Sequence, residues 1–116
     1  MIVHVVMFQP RADLDPSTRD SLLQEIATAA KTIPSVRRMR VGQRARHGLP
    51  GYEQAMATAY DYALIAEFDD RAGLVAYLQH PAHHTIGGHF TASAERSLAY
   101  DYEMEEAEKI REGPRP

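Results

Sequence analysis

Apolar residues gather along the chain in four stretches that read as strands and three that read as helices. Residues 2–9, IVHVVMFQ, are apolar at both parities and close on Pro10, the pattern of a strand covered on both faces. The next segment, DLDPSTRDSLLQEIATAAKTI, opens with Asp15 as N-cap and Pro16 at the first helical position. Leu22, Leu23, Ile26, Ala30 and Ile33 then fall on one helical stripe, and Pro34 stops the helix. Residues 36–46, VRRMRVGQRAR, place Met39, Val41 and Ala45 on one side and Arg38, Arg40, Arg44 and Arg46 on the other, which predicts a second strand. HGLPGYEQ is a loop by its glycines and proline. YDYALIAEF, residues 60–68, is a third strand, apolar at nearly every position. Leu74, Tyr77 and Leu78 mark a short helix ending before Pro81, and a further helical piece starts at that proline. SLAYDYEM alternates Leu98, Tyr100, Tyr102 and Met104 with Ala99, Asp101 and Glu103, a fourth strand. Residues 105–116, EEAEKIREGPRP, form a polar tail expected to fray.

Strand, helix, strand, strand, helix, strand is the ferredoxin-like split βαβ order, βαββαβ. The expected fold is α+β: a four-stranded antiparallel sheet in the order 4-1-3-2, helices on one face, second and fourth strands at the edges. The first and third strands are apolar on both parities, so the face away from the helices also needs a cover. The chain has no layer to spare for it. A second copy is the simplest cover, which predicts a homodimer with sheets face to face, a dimeric α/β barrel. The arginine stripe of the second strand and Asp101, Glu103 and Glu105 of the fourth are expected to meet across that dimer, or else to remain solvated.

A length of 116 residues fits one domain, placed at residues 1–104 ahead of the tail. With 44% hydrophobic and 25% charged residues the composition is that of an ordinary globular protein. A formal charge of −3 gives no reason to expect nucleic acid or an anionic membrane as partner. The absence of cysteine removes disulfides, thiolate nucleophiles and zinc-thiolate sites. The opening MIVHVVMFQP has too short an apolar run for a signal peptide and lacks a basic leader, and no stretch approaches a membrane span. The reading is a cytoplasmic protein.

Four of the six histidines lie between residues 77 and 90, in YLQHPAHHTIGGHF. Counted from His83, the positions i+3, i+4 and i+7 are Ile86, Gly87 and Phe90, so His83 points inward with the apolar face while His84 is solvated. His80 and His89 stand at the ends of the piece. The inward and outward rings diverge and no HExxH pattern is present, so no metal and no cofactor is expected. Gly87, on the buried face, is expected to let backbone or ligand come close. Tyr77 shares the Leu74/Leu78 face, and His4 stands in the first strand on the side of Ile2, Val6 and Phe8. Three polar groups on apolar faces need partners. Either they satisfy one another, or they line a small cavity in which a neutral imidazole accepts a proton and a tyrosine hydroxyl polarises a carbonyl.

MIVHVVMF, IPSV, YALIAEFDD, YLQHPAHHTIG and LAYDYEM together resemble the stress-responsive A/B barrel (Dabb) family over residues 1 to 104, the His-Pro-Ala-His block being the most specific match. The resemblance implies a ferredoxin-like dimeric barrel. Plant members of the family include stress-linked proteins and a polyketide cyclase working by intramolecular aldol condensation. Carried over by resemblance, His83 is the base that generates the enolate, Tyr77 orients that base or the substrate, and His4 helps to place it. The long RARHGLPGYEQAMATA segment departs from the plant cyclase's short connection and leaves substrate identity open. The resemblance further implies a weak cation site on the carbonyls of Ala30, Ile33 and Val36. Three functional readings follow: an acid–base enzyme acting on a small apolar or polyketide-like compound, a non-catalytic ligand-binding or stress-response barrel, and a lactone isomerase needing an inward arginine as carboxylate anchor.

Overall fold

The computed structural model describes residues 1–108; the last eight residues of the polar tail lie outside the described residues. Strands β1 (Ile2–Pro10), β2 (Arg38–Gln43), β3 (Tyr62–Phe68) and β4 (Ala94–Glu103) form one antiparallel sheet in the order β2-β3-β1-β4. Helices α1 (Pro16–Thr32), α2 (Arg71–Gln79) and α3 (Pro81–Ser93) cover one face. This is the ferredoxin-like arrangement, with β2 and β4 at the edges.

The caps fall where side-chain chemistry puts them. Asp15 accepts the Thr18 amide at 2.8 Å to open α1, with Pro16 in its first turn. Asp70 accepts the Gly73 amide at 2.9 Å to open α2. α1 buries Leu22, Ile26 and Ala29, while Leu23 of the expected stripe is exposed and Ala29 takes the place given to Ala30. The helices face Ile2, His4 and Phe8 of β1 and Leu64, Ala66 and Phe68 of β3, all buried, with Met39 and Val41 of β2 packed at the rim.

The opposite face carries the other parity. The register gives three ranks across the four strands: Arg38, Glu67, Val3 and Tyr102; Arg40, Ile65, Val5 and Tyr100; Gly42, Ala63, Met7 and Leu98. Tyr100 and Tyr102 stay 57% and 52% exposed.

The expected pairing of the arginine stripe with the acidic residues of β4 is corrected by this register. Asp101 lies opposite His4 and Glu103 opposite Ile2, on the helix side, whereas Arg38 and Arg40 sit on the open side. Asp101 binds His4 and Glu103 binds Arg71 within the same chain. β2 also stops short of the alternating run. Beyond Gln43, the Arg44 amide donates to the Asp61 carbonyl at 2.7 Å and the Arg46 guanidinium to the Asp61 carboxylate at 2.8 Å. The long loop between β2 and β3 is closed on itself: Glu53 accepts the His47 and Gly48 amides, and Gly48 and Gly51 take left-handed φ values of 76° and 79°. Its foot is held by Arg96, which donates to the Ala59 carbonyl at 3.0 and 2.6 Å, and by Gln9, which donates to Asp61 at 3.0 Å.

Candidate functional site

The antiparallel register sets His4 in the middle of β1, directly across from Asp101 on β4. Its Nδ1–H donates to Asp101 Oδ1 at 2.6 Å. A carboxylate can only accept, so this bond assigns the tautomer and leaves Nε2 directed elsewhere. His4 is 4% exposed, and the Asp101 side chain, at 39%, connects it to solvent. α2 lays Tyr77 over the sheet, edge-on to His4 with ring centroids 5.6 Å apart and against Phe68 at 5.1 Å. Tyr77 is 2% exposed, its hydroxyl has no hydrogen-bond partner among the described residues, and burial pushes its pKa up to about 12. That hydroxyl keeps its proton and can donate it in a hydrogen bond.

His83 lies in the first turn of α3, its ring centroid 4.7 Å from that of Tyr77. Helix α3 starts at Pro81, with His80 as N-cap accepting the Ala82 amide at 3.0 Å. His83 Nδ1 meets the Leu78 carbonyl at 3.1 Å. A carbonyl cannot donate, so Nδ1 carries the hydrogen and Nε2 is left with a free lone pair. Burial lowers the pKa of His83, opposed by the Leu78 bond and reinforced by the neighbouring His4 and His84. The ring is therefore neutral near pH 7, as a base must be. The three sequence-predicted residues are thus brought into one row, His4–Tyr77–His83.

Asp101 is the member that sequence reasoning misses. Alternation alone places it in a charge stripe; only the β1–β4 register, which local periodicity does not fix, puts it on His4. The remaining histidines are occupied otherwise. His84 is exposed, His47 accepts the Leu49 amide in the long loop, and His89 is not terminal but lies in the third turn of α3, bonded to Glu25 of α1. Among the described residues no group of three His, Asp or Glu could hold a metal ion. At Gly87 a Cβ would meet no atom of another element within 4 Å, so of the two expected reasons for the glycine, close approach by backbone does not apply within the chain. Of the carbonyls in the implied cation site, that of Ile33 accepts the Val36 amide at 3.2 Å. An apolar cleft with about 10 Å³ of free volume lies two turns along α3 from His83, between Phe8, Leu22, Tyr62 and Phe90. Since about 10–15 Å³ is needed for a single water, this cleft has room for about one water and not for a larger guest.

Comparison with known proteins agrees with the fold. Residues 2–104 match the family described as the Stress responsive A/B Barrel Domain. A search of curated proteins finds no match. Among solved structures, the protein At3g17210 from Arabidopsis thaliana superposes with a TM-score of 0.77 at 19% identity, over 92% of this chain and 98% of that one. The hydroxynitrile lyase from Passiflora edulis gives a TM-score of 0.77 at 15% identity, covering 91% and 94%. A dimeric ferredoxin-like protein of unknown function from Jannaschia sp. CCS1 gives 0.67 at 27% identity, covering 89% and 98%. What they share with this chain is the fold. No helix among the described residues is long and apolar enough to cross a membrane.

Proposed function

The chain belongs to the stress responsive A/B barrel domain family, and from that premise we propose that it is a homodimer whose site performs acid–base chemistry on a small enolisable compound of apolar or polyketide-like character. His83 is the base, Tyr77 the hydrogen-bond donor to the reacting carbonyl, and His4, held by Asp101, shapes the inner wall. In the aldol form of this chemistry, His83 Nε2 removes a proton alpha to a carbonyl. The enolate carbon then attacks a second carbonyl of the same molecule, forming the new carbon–carbon bond. The imidazolium returns its proton to the resulting alkoxide. Tyr77, protonated throughout, stabilises charge on the enolate oxygen.

One observation carries the reading: the His83 Nδ1–Leu78 carbonyl bond, which leaves Nε2 as a neutral acceptor beside a buried phenol. The test follows the exchange of alpha protons of aliphatic 3-oxo and 3,5-dioxo esters in deuterium oxide by NMR. His83→Ala and Tyr77→Phe are expected to abolish catalysed exchange while sedimentation still finds the dimer. Exchange that survives both changes overturns the mechanism.

A second reading, a barrel that only binds its guest, is favoured by one fact: His4 and Tyr77 are 4% and 2% exposed, so packed atoms surround them. In that case the esters bind without exchange. Lactone isomerisation finds less support, because Arg38 and Arg40 lie on the sheet face away from His83 and offer no carboxylate anchor there. The homodimer is supported by the uncovered apolar ranks of the open face and by the dimeric relative of the same fold. A single species of protomer mass at micromolar concentration in sedimentation would remove it.

A further inference from the structure

We infer that in the dimer β2 of one protomer lies over β4 of its partner, with Arg38 and Arg40 on the rings of the partner's Tyr102 and the partner's Tyr100, and Gly42 beneath the partner's Leu98. The inference rests on the homodimer reading above and adds the direction of its axis. Two sheets packed face to face in the aligned manner are related by a two-fold axis that runs either along the strands or across them. An axis along the strands keeps each rank at its level and reverses the strand order, so β2 meets β4 and β3 meets β1. An axis across the strands keeps the order and reverses the levels, so β2 meets β2.

Three observations bear on the placement: the second calls for a cover along either axis, and the first and third choose between the two. The first is charge. Arg38 and Arg40 are exposed on the open face with no partner among the described residues. With β2 on β2, Arg40 in the middle rank approaches its own copy, two guanidinium groups between closing sheets. With β2 on β4, each arginine meets a tyrosine of its own rank, and guanidinium over a phenol ring is attractive. The second is the exposure of those tyrosines: 57% and 52% of Tyr100 and Tyr102 face solvent in the lone chain, the excess that a partner's side chain would cover. The third is size. In the β2-on-β4 arrangement Gly42 faces the partner's Leu98, Ala63 the partner's Met7, and Ile65 the partner's Val5. Small stands opposite large in two of these pairs and the third is evenly matched; the fourth sets Glu67, beside Arg38 in its own rank, against the partner's Val3. Gly42 is otherwise unaccounted for. It sits within a strand, outside the left-handed region, and a Cβ there would meet nothing within 4 Å. Glycine weakens a strand interior and often marks close approach by another group. Leu98 of the partner subunit is that group.

The experiment is sedimentation of the full chain across a dilution series, with circular dichroism confirming that each variant is folded. A wild-type chain that never dimerises removes the dimer reading itself and this one with it. Given a wild-type dimer, Gly42→Leu is expected to weaken association by roughly tenfold or more, since two oversized contacts form per dimer. Adding Leu98→Ala to it is expected to recover association to the level of Leu98→Ala alone. Arg40→Ala is expected to weaken the dimer by about tenfold through two lost contacts. If Gly42→Leu dimerises like wild type, the placement is wrong. If Arg40→Ala tightens the dimer, β2 lies on β2 instead. Should Gly42→Leu fail to fold, the Arg40→Ala result alone decides, since that side chain is exposed and unpaired among the described residues.

Discussion

The base role proposed for His83 requires a neutral ring, and burial favours that form. A histidine whose pKa is lowered on folding takes up its proton later than the unfolded chain does. Activity is therefore expected to hold at neutral pH and to fall with an acid midpoint below about 6.5, the ordinary histidine value. The stability contribution has the same sign: it is present above that value and is lost as pH falls through the lowered pKa. A pH–rate profile of the proton-exchange reaction reads the midpoint, and an acid limb above the ordinary value contradicts the assignment. Tyr77 adds no limb below about 12. These residues are legible in the sequence because each is a polar group at a position whose neighbours one turn or two residues away are apolar. Asp101 is not legible there, since its role depends on which residue of β1 stands across from it, and a slip of one position would turn it to the other face.

α2 is a helix of nine residues that delivers both the Tyr77 ring and the Leu78 carbonyl, so its seating matters more than its length. Short helices are marginal alone, and the Asp70 cap is one of the few local contributions holding this one. Asp70→Ala is expected to cost about 1 kcal/mol, read as a lower urea midpoint with an unchanged slope, while Asp70→Asn keeps the acceptor and most of the stability. Element bounds are readable where caps and prolines punctuate them, as at Asp15, Pro16 and Pro81. They are not readable at the end of β2, where alternation continues past Gln43 but the chain leaves the ladder to bind Asp61. Nor is the start of β4, three residues earlier than its alternating run, because residues 94–96 continue straight out of α3.

The described residues form a slab 18 Å thick, the depth of one sheet and one helix layer, and the proposed dimer supplies the cover that the second face of the sheet lacks in the single chain. Apolar residues at both parities of β1 and β3 reveal that need in the amino-acid sequence alone. The direction of the axis is not visible there, because it depends on ranks that cross four strands. If folding is coupled to association as proposed, mass action makes the melting temperature climb with protein concentration in the wild type and lie lower at each concentration in Gly42→Leu. Calorimetry over a hundredfold concentration range measures both, and a wild-type melt that ignores concentration contradicts the coupling. At the far edge of the slab, the loop between β2 and β3 has both feet clamped, by Arg44 and Arg46 on Asp61 and by Arg96 on Ala59, and its interior is tied by its own carboxylate. The span between the clamps therefore behaves as a cassette: foreign peptide grafted there inherits a fixed mounting, and the pleated scaffold beneath it keeps its pairing.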